Sequence, residues 1–330
     1  MLKQLKANPM AGHEGRSLGF DLGGTQVRAA LVEKGTILAR ASARTDVGGG
    51  PQGVMAQFRQ LASEVCKQTG FDAVRAVGMS APGPLDTEAG VVEHIPTLPG
   101  WDGFPLRDRL ADAFDRPAVL ENDGIAAAFG EWKYGAGRGL EHLVYVTVST
   151  GIGGGVVVDG RLLHGRKGMG GHVGHFRIAP DGPVCSCGAV GCFEALAAGT
   201  ALGERAANAA TRNPAGYLGI QASAGPIETR HAVEGARGGD PECLALMAEE
   251  ADLLGVGFTG LLHLYSPQRI IMGGGVSRAF DLLDAGIHRR IRQDAMAPFK
   301  DVPVVPAQLG DNCGLLGVAS LALSMVGTDS

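Results

Sequence analysis

Apolar positions in this chain gather into short runs set off by glycine. From Leu18 to Val32 (LGFDLGGTQVRAALV) two β-prone apolar runs flank a Gly-Gly-Thr turn, and Tyr145 to Val158 (YVTVSTGIGGGVVV) repeats the plan of strand, hydroxyl-and-glycine turn, strand. One plan met in both halves points to a duplicated α/β unit, because two such turns can close on a ligand from both sides. The pattern therefore predicts two lobes with a cleft between them. Between the turns it predicts a helix over Val54 to Thr69, a strand over Ala73 to Met79 and a loop at Ser80-Ala81-Pro82-Gly83-Pro84. A short helix follows Pro105, with Leu106, Leu110 and Phe114 on one face, and Pro117 is expected to end it. A strand over Ala118 to Leu120 then delivers Glu121-Asn122-Asp123-Gly124 to a strand-to-helix junction. Further on, Pro241 to Tyr265 is helical, Arg269 to Met272 is a strand running into Gly273-Gly274-Gly275, and Gly314 to Gly327 is a buried C-terminal helix.

Composition narrows the class. The 330 residues are 45% hydrophobic and 19% charged, enough to bury a sizeable core, and 53 of them are glycine, as tight turns and close backbone approaches require. A net charge of −5 with no run of Lys or Arg argues against a duplex nucleic-acid partner, whose affinity rests on phosphate neutralisation. A small-molecule ligand fits better. No apolar stretch near an end reaches the roughly 20 residues of a membrane span, and residues 1–16 lack the apolar core of a secretory signal. The expected setting is cytoplasmic, with the six cysteines reduced or metal-bound.

The densest chemistry is HVGHFRIAPDGPVCSCGAVGCFE, in which His175, Cys185, Cys187 and Cys192 meet the Cys3His count of a tetrahedral zinc site. Four protein ligands close the site, so the zinc is expected to be structural. Asp21-Leu22-Gly23-Gly24-Thr25 and Ser149-Thr150-Gly151-Ile152-Gly153-Gly154-Gly155 offer amides and hydroxyls with little bulk, as a polyphosphate needs or as a plain hairpin allows. Asp21 stands at a strand end, where it either holds Mg2+, directly or through water, or caps the turn. Asp123 is either a helix cap or a general base for a hydroxyl substrate, and Asn122 either a turn residue or a hydroxyl contact.

The DLGGT turn, the SAPGP loop, LPGW at 98–101, ENDG, STGIGGG, the HVGH-to-CSCGAVGCFE segment and the late GGGVS resemble, in order and from Leu18 onward, the ROK family of repressors and sugar kinases. The resemblance implies an α/β, two-lobed hexokinase/actin-like ATPase fold, built from duplicated ribonuclease H-like units, with a zinc-binding loop. It is expected as a disordered tail over 1–16, a small lobe of 17–122 with about 311–330, and a large lobe of 123–310 bearing the zinc loop. The implied activity is ATP-dependent phosphorylation of a hexose or N-acylhexosamine at the 6-hydroxyl, with ATP, Mg2+ and structural Zn2+. By the same resemblance Asp123 is the base. Gly83, Asn122, His172, His175 and Glu194 are sugar contacts. Gly23, Gly24, Thr25, Thr150, Gly151 and Gly153 face the phosphates, and Gly273, Gly274 and Gly275 flank the adenosine. Family members commonly form homodimers or homotetramers. Repressors of the family carry an N-terminal DNA-reading module, for which the residues before Asp21 are too few.

Two departures bear on the sugar. The family's usual Glu-x-Gly-His is here His172-Val173-Gly174-His175, so an acceptor-only carboxylate becomes an imidazole that donates or accepts. The same change is found in the family's bacterial N-acetylmannosamine kinases, which makes that amino sugar the expected substrate, ahead of N-acetylglucosamine and glucose. Thr97 stands where an asparagine often precedes Leu-Pro-Gly-Trp, and it either makes room beside the sugar's C2 or is neutral.

Overall fold

The structure, a computed structural model, describes residues 15–95 and 97–326. The tail expected over 1–16 lies, as far as residue 14, outside the described residues. In chain order the first elements are β1 (Arg16–Leu22), β2 (Gln26–Glu33), β3 (Thr36–Arg44), α1 (Gly50–Val65), β4 (Val74–Ala81), β5 (Leu85–Asp86), β6 (Val91–Val92), α2 (Leu106–Phe114), β7 (Ala118–Asn122) and α3 (Asp123–Tyr134). There follow β8 (Leu143–Val148), β9 (Ile152–Val158), β10 (Arg161–Leu162), α4 (Phe193–Ala197), α5 (Gly199–Arg212), α6 (Tyr217–Ala222), α7 (Thr229–Arg237), α8 (Pro241–Tyr265), β11 (Arg269–Gly273), α9 (Phe280–Asp294), β12 (Val304–Pro306) and α10 (Cys313–Val326).

The duplication expected from the two glycine turns is present in the topology. One sheet has the order β3-β2-β1-β4-β7 and the other β10-β9-β8-β11-β12, the same succession along the chain. In the first, β1, β2 and β3 form an antiparallel meander, and β4 and β7 join β1 in parallel. In the second, β9 and β10 are antiparallel, and β8, β11 and β12 run parallel. The chain divides into two compact units, one of residues 15–141, 155–171 and 308–326, the other of 142–154 and 172–307.

In the first unit the period-two alternation of β1 separates two packed faces. Leu18, Phe20 and Leu22 enter a core with Phe58 of α1 and Leu110 and Phe114 of α2, where the Phe20 ring lies 5.0 Å from Phe58 and 5.3 Å from Phe114. The other face meets α10, whose Leu315, Leu316 and Ala319 pack on Ala30 and Val32. Glycine sets that approach. A β-carbon at Gly19 of β1, Gly78 of β4 or Gly130 of α3 would strike the carbonyl of Leu315, Val318 or Cys313 on α10, and one at Gly317 would strike that of Ala126 on α3. In the second unit α8 buries Leu254, Phe258 and Leu262, and α9 lies on it with Leu283, Ile287 and Ile291 buried.

Some boundaries differ from the sequence expectation. α1 starts at Gly50 because Pro51 suits the first helical turn, and it ends at Val65. α2 ends before Pro117: Asp115 turns left-handed at φ 49° and its amide donates to the Ala111 carbonyl. β4 and β7 each run two residues further, to Ala81 and Asn122. Among the described residues no helix is long and apolar enough to cross a membrane.

Candidate active site

Three parallel strands of the first unit end side by side and set polar residues in one row. Asp21 of β1 is in register with Ser80 of β4, and Ser80 with Glu121 of β7. In open α/β sheets this carboxyl edge is where ligands bind. The Ser80 hydroxyl donates to Asp21 Oδ1 at 3.2 Å, and Arg28 of β2 stands 3.6 Å from Asp21 Oδ2. Burial raises the Asp21 pKa, against the opposing pull of Arg28 and Ser80. β7 passes directly into α3, and capping falls to Asn122, whose Oδ1 accepts the Gly124 N–H at 3.0 Å. Asp123 is thus the first helical residue, its Oδ1 accepting the same N–H at 2.8 Å. Burial pushes its carboxyl up to about 6, and the charge of Asp21 adds to the rise. An acid poised there accepts a proton near neutral pH.

Both glycine turns are pinned by their carbonyls. In the first unit, the Gly23 N–H donates to the Gln26 carbonyl at 3.0 Å and the Thr45 hydroxyl donates to the Gly23 carbonyl at 2.7 Å. Thr97 lies directly on Gly24, where an added β-carbon would come 2.8 Å from its Oγ1, so this departure from the family pattern touches the turn itself. Gly83 follows β4 in the loop that contains the cis Gly83-Pro84 bond. In the second unit the Ser149 N–H donates to the Gly151 carbonyl at 2.9 Å and the Thr200 hydroxyl to the Thr150 carbonyl at 2.7 Å. Glu194 closes on this turn. Its Oε2 accepts the Ile152 N–H at 3.0 Å, its Oε1 accepts the Ser186 hydroxyl at 2.7 Å, and a β-carbon on Gly151 would fall 2.6 Å from Oε2.

Beside that turn, within the second unit, lies a cavity of about 760 Å³ lined by Thr150, Gly199, Ile227, Arg230, Val233 and Gly275, among others. Its size suits a nucleoside. Of the three late glycines, Gly275 lines it, whereas Gly273 and Gly274 lie against Tyr145 and Val148, where a side chain would collide. Ile227, Arg230 and Val233 went unremarked in the sequence. The stretch from α5 to α7 sets small buried residues against charged exposed ones, a pattern that marks helices without marking a ligand wall.

His175, Cys185, Cys187 and Cys192 converge, with one ligand atom from each lying within 4.8 Å of the others. Two sulfurs bound at about 2.3 Å to a tetrahedral zinc stand about 3.8 Å apart, and a sulfur and a nitrogen about 3.6 Å. Cys187 and Cys192 are separated by 3.7 Å, and Cys185 Sγ lies 3.5 Å from His175 Nδ1. The spacing fits zinc and is too long for a disulfide. The nitrogen of His175 that faces the thiols is Nδ1. Burial pushes the Cys192 thiol up to about 12, a cost that a bound cation would offset. His172 packs close by, its ring centroid 6.2 Å from that of His175. Desolvation, then the charge of His175, lowers its pKa and favours the neutral ring, which has one donor and one acceptor nitrogen.

The family model for "ROK family" matches residues 17–325. A glucokinase of Thermotoga maritima is 36% identical over 314 residues, 94% of this chain and 98% of the relative. The N-acetylmannosamine kinase of Yersinia pseudotuberculosis is 32% identical over 306 residues, 92% of this chain and 97% of the relative. A ROK family glucokinase from Streptomyces griseus, solved in complex with glucose and AMPPNP, matches with a TM-score of 0.80 and 35% identity, covering 93% of this chain and 99% of that one.

Proposed function

This chain belongs to the ROK family, and on that premise we propose that it is an ATP-dependent sugar kinase acting on the 6-hydroxyl of an N-acylhexosamine, N-acetylmannosamine first. The observation that carries the chemistry is Asp123, a buried carboxylate held near pKa 6 at a strand-to-helix junction beside a second carboxylate, Asp21. Asp123 takes the hydroxyl proton as the sugar oxygen attacks the terminal phosphorus, which makes that oxygen a competent nucleophile. Gly83 and Asn122 orient the sugar, as do His172, His175 through its Nε2, and Glu194. Gly23, Gly24, Thr25, Thr150, Gly151 and Gly153 face the phosphates, and the second-unit cavity takes the nucleoside beside Gly275. Asp21 would hold Mg2+, whose charge offsets that of the phosphates. His175, Cys185, Cys187 and Cys192 would hold zinc, which orders the loop carrying two of the sugar contacts.

The choice of sugar rests on His172. A neutral imidazole asks for a different hydrogen-bond partner than a carboxylate does, and the acetamido group supplies both a donor and an acceptor. Glucose is the second reading, favoured by the 36% identity to the Thermotoga maritima glucokinase. The test is ADP release from MgATP with N-acetylmannosamine, N-acetylglucosamine, glucose, mannose and fructose, compared by kcat/KM. Preference for N-acetylmannosamine upholds the assignment. Preference for glucose moves the substrate and leaves the kinase standing, whereas no turnover with any sugar overturns the kinase.

A further inference from the structure

The structure assigns a positioning role to Glu121 and His164, a pair that hold the Asn122-Asp123 turn in place and have no part in the proton transfer itself. The inference rests on Asp123 being the base. Glu121 is the last but one residue of β7, in the register row of Asp21 and Ser80, and its side chain is only 4% exposed. A buried carboxylate must spend its lone pairs on donors. Both oxygens of Glu121 do so. Oε1 accepts the backbone N–H of Asn122 at 2.8 Å, and Oε2 accepts His164 Nε2–H at 2.8 Å. From Asn122 the order continues: its Oδ1 accepts the Gly124 N–H, which Asp123 Oδ1 shares. A continuous hydrogen-bonded path therefore joins His164 to the carboxylate of the base.

His164 is itself held. It follows β10 in a loop that folds back so that the Gly170 N–H donates to the His164 carbonyl at 2.6 Å, with Gly165 left-handed at φ 63°. Its ring is partly open, and the hydrogen bond it donates to Glu121 raises its pKa. Without His164 the Glu121 carboxylate keeps one buried oxygen without a donor. It would then turn toward solvent and release Asn122. Catalysis depends on the base being fixed, since a small displacement of a reacting group costs orders of magnitude in rate.

The test uses His164→Ala and His164→Gln in the full chain. His164→Ala should lower kcat at least tenfold with KM for MgATP within twofold. Added imidazole should recover part of the loss, and His164→Gln, whose amide N–H reaches the same carboxylate, should retain most of the rate. Hydrogen exchange of the Asn122 and Gly124 amides should speed at least tenfold in His164→Ala while α10 keeps its protection. That last readout does not need turnover, so an inactive parent protein would refute the kinase and still let exchange decide the pair. Unchanged exchange at Asn122 and Gly124 overturns the inference, as does a parent-like kcat in His164→Ala.

Discussion

At Asp123 the sign of the pKa shift fixes two separate observables. The folded carboxyl titrates near 6 against an ordinary 3.8, so ionising it costs the fold about 3 kcal/mol. Below about pH 3 the group is protonated in folded and unfolded chains alike and the cost vanishes. As pH rises the unfolded chain gives up its proton first, so stability falls until the folded group has ionised above about 6. Asp123→Asn should therefore melt several degrees above the parent at pH 8, with the two curves converging at about pH 3; parallel curves would show that burial is not what perturbs this acid. The same variant should lose turnover, and the parent's kcat/KM should decline as pH drops through about 6, because the base must be ionised to act. A second residue-scale expectation concerns Gly151, whose missing side chain leaves room for Glu194. Gly151→Ala should push that carboxylate off the Ile152 amide and raise KM for the sugar about tenfold. A rise confined to KM for ATP would remove Glu194 from the sugar contacts.

Among the elements, the loop from His175 to Glu194 would join folding to recognition on the proposed reading, since His175 turns one ring nitrogen to the thiols and Glu194 follows Cys192 by two residues. Cys187→Ser should lose bound zinc, melt lower and bind sugar more weakly, all three together; measured zinc loss with an unchanged melting temperature would show that the loop is ordered by its own hydrogen bonds. This loop was legible in the sequence because four ligands within eighteen residues are rare in any other role. So were β1, β2, β8 and β9, where apolar runs flank glycine, and α8, whose ends match the expected Pro241 and Tyr265. The cavity wall from α5 to α7 was not legible, because its small buried residues mark packed helices and none of them marks a ligand. Glu121 and His164 were invisible for another reason: they are 43 positions apart in sequence, and only the fold makes them a pair. Of the two readings open for Asp123, cap or base, the backbone gives the cap to Asn122, since an Asn and an Asp side by side both suit it and only geometry chooses.

At the largest scale, the first unit depends on one late helix. α10 touches β1, β2, β4, β7 and α3, and glycine on both sides lets it approach at backbone distance. Gly317→Ala should destabilise the protein by at least about 2 kcal/mol, because the new carbon meets the Ala126 carbonyl, which has nowhere to move. Gly314→Ala, on the same helix with only Ser80 Oγ at 3.6 Å, should be close to neutral in the same denaturation experiment. Equal effects would mean that helix propensity, not contact with the sheet, governs this face. A ribosome makes α10 last of the described elements, although its docking surface on β1 is made first. Until α10 is made that surface must wait, its apolar side open, for a partner still unsynthesised. The end of β1 bearing Asp21 and the start of α3 bearing Asp123 thus gain their support only once α10 has been made, and a chain released before it carries both carboxylates without that support.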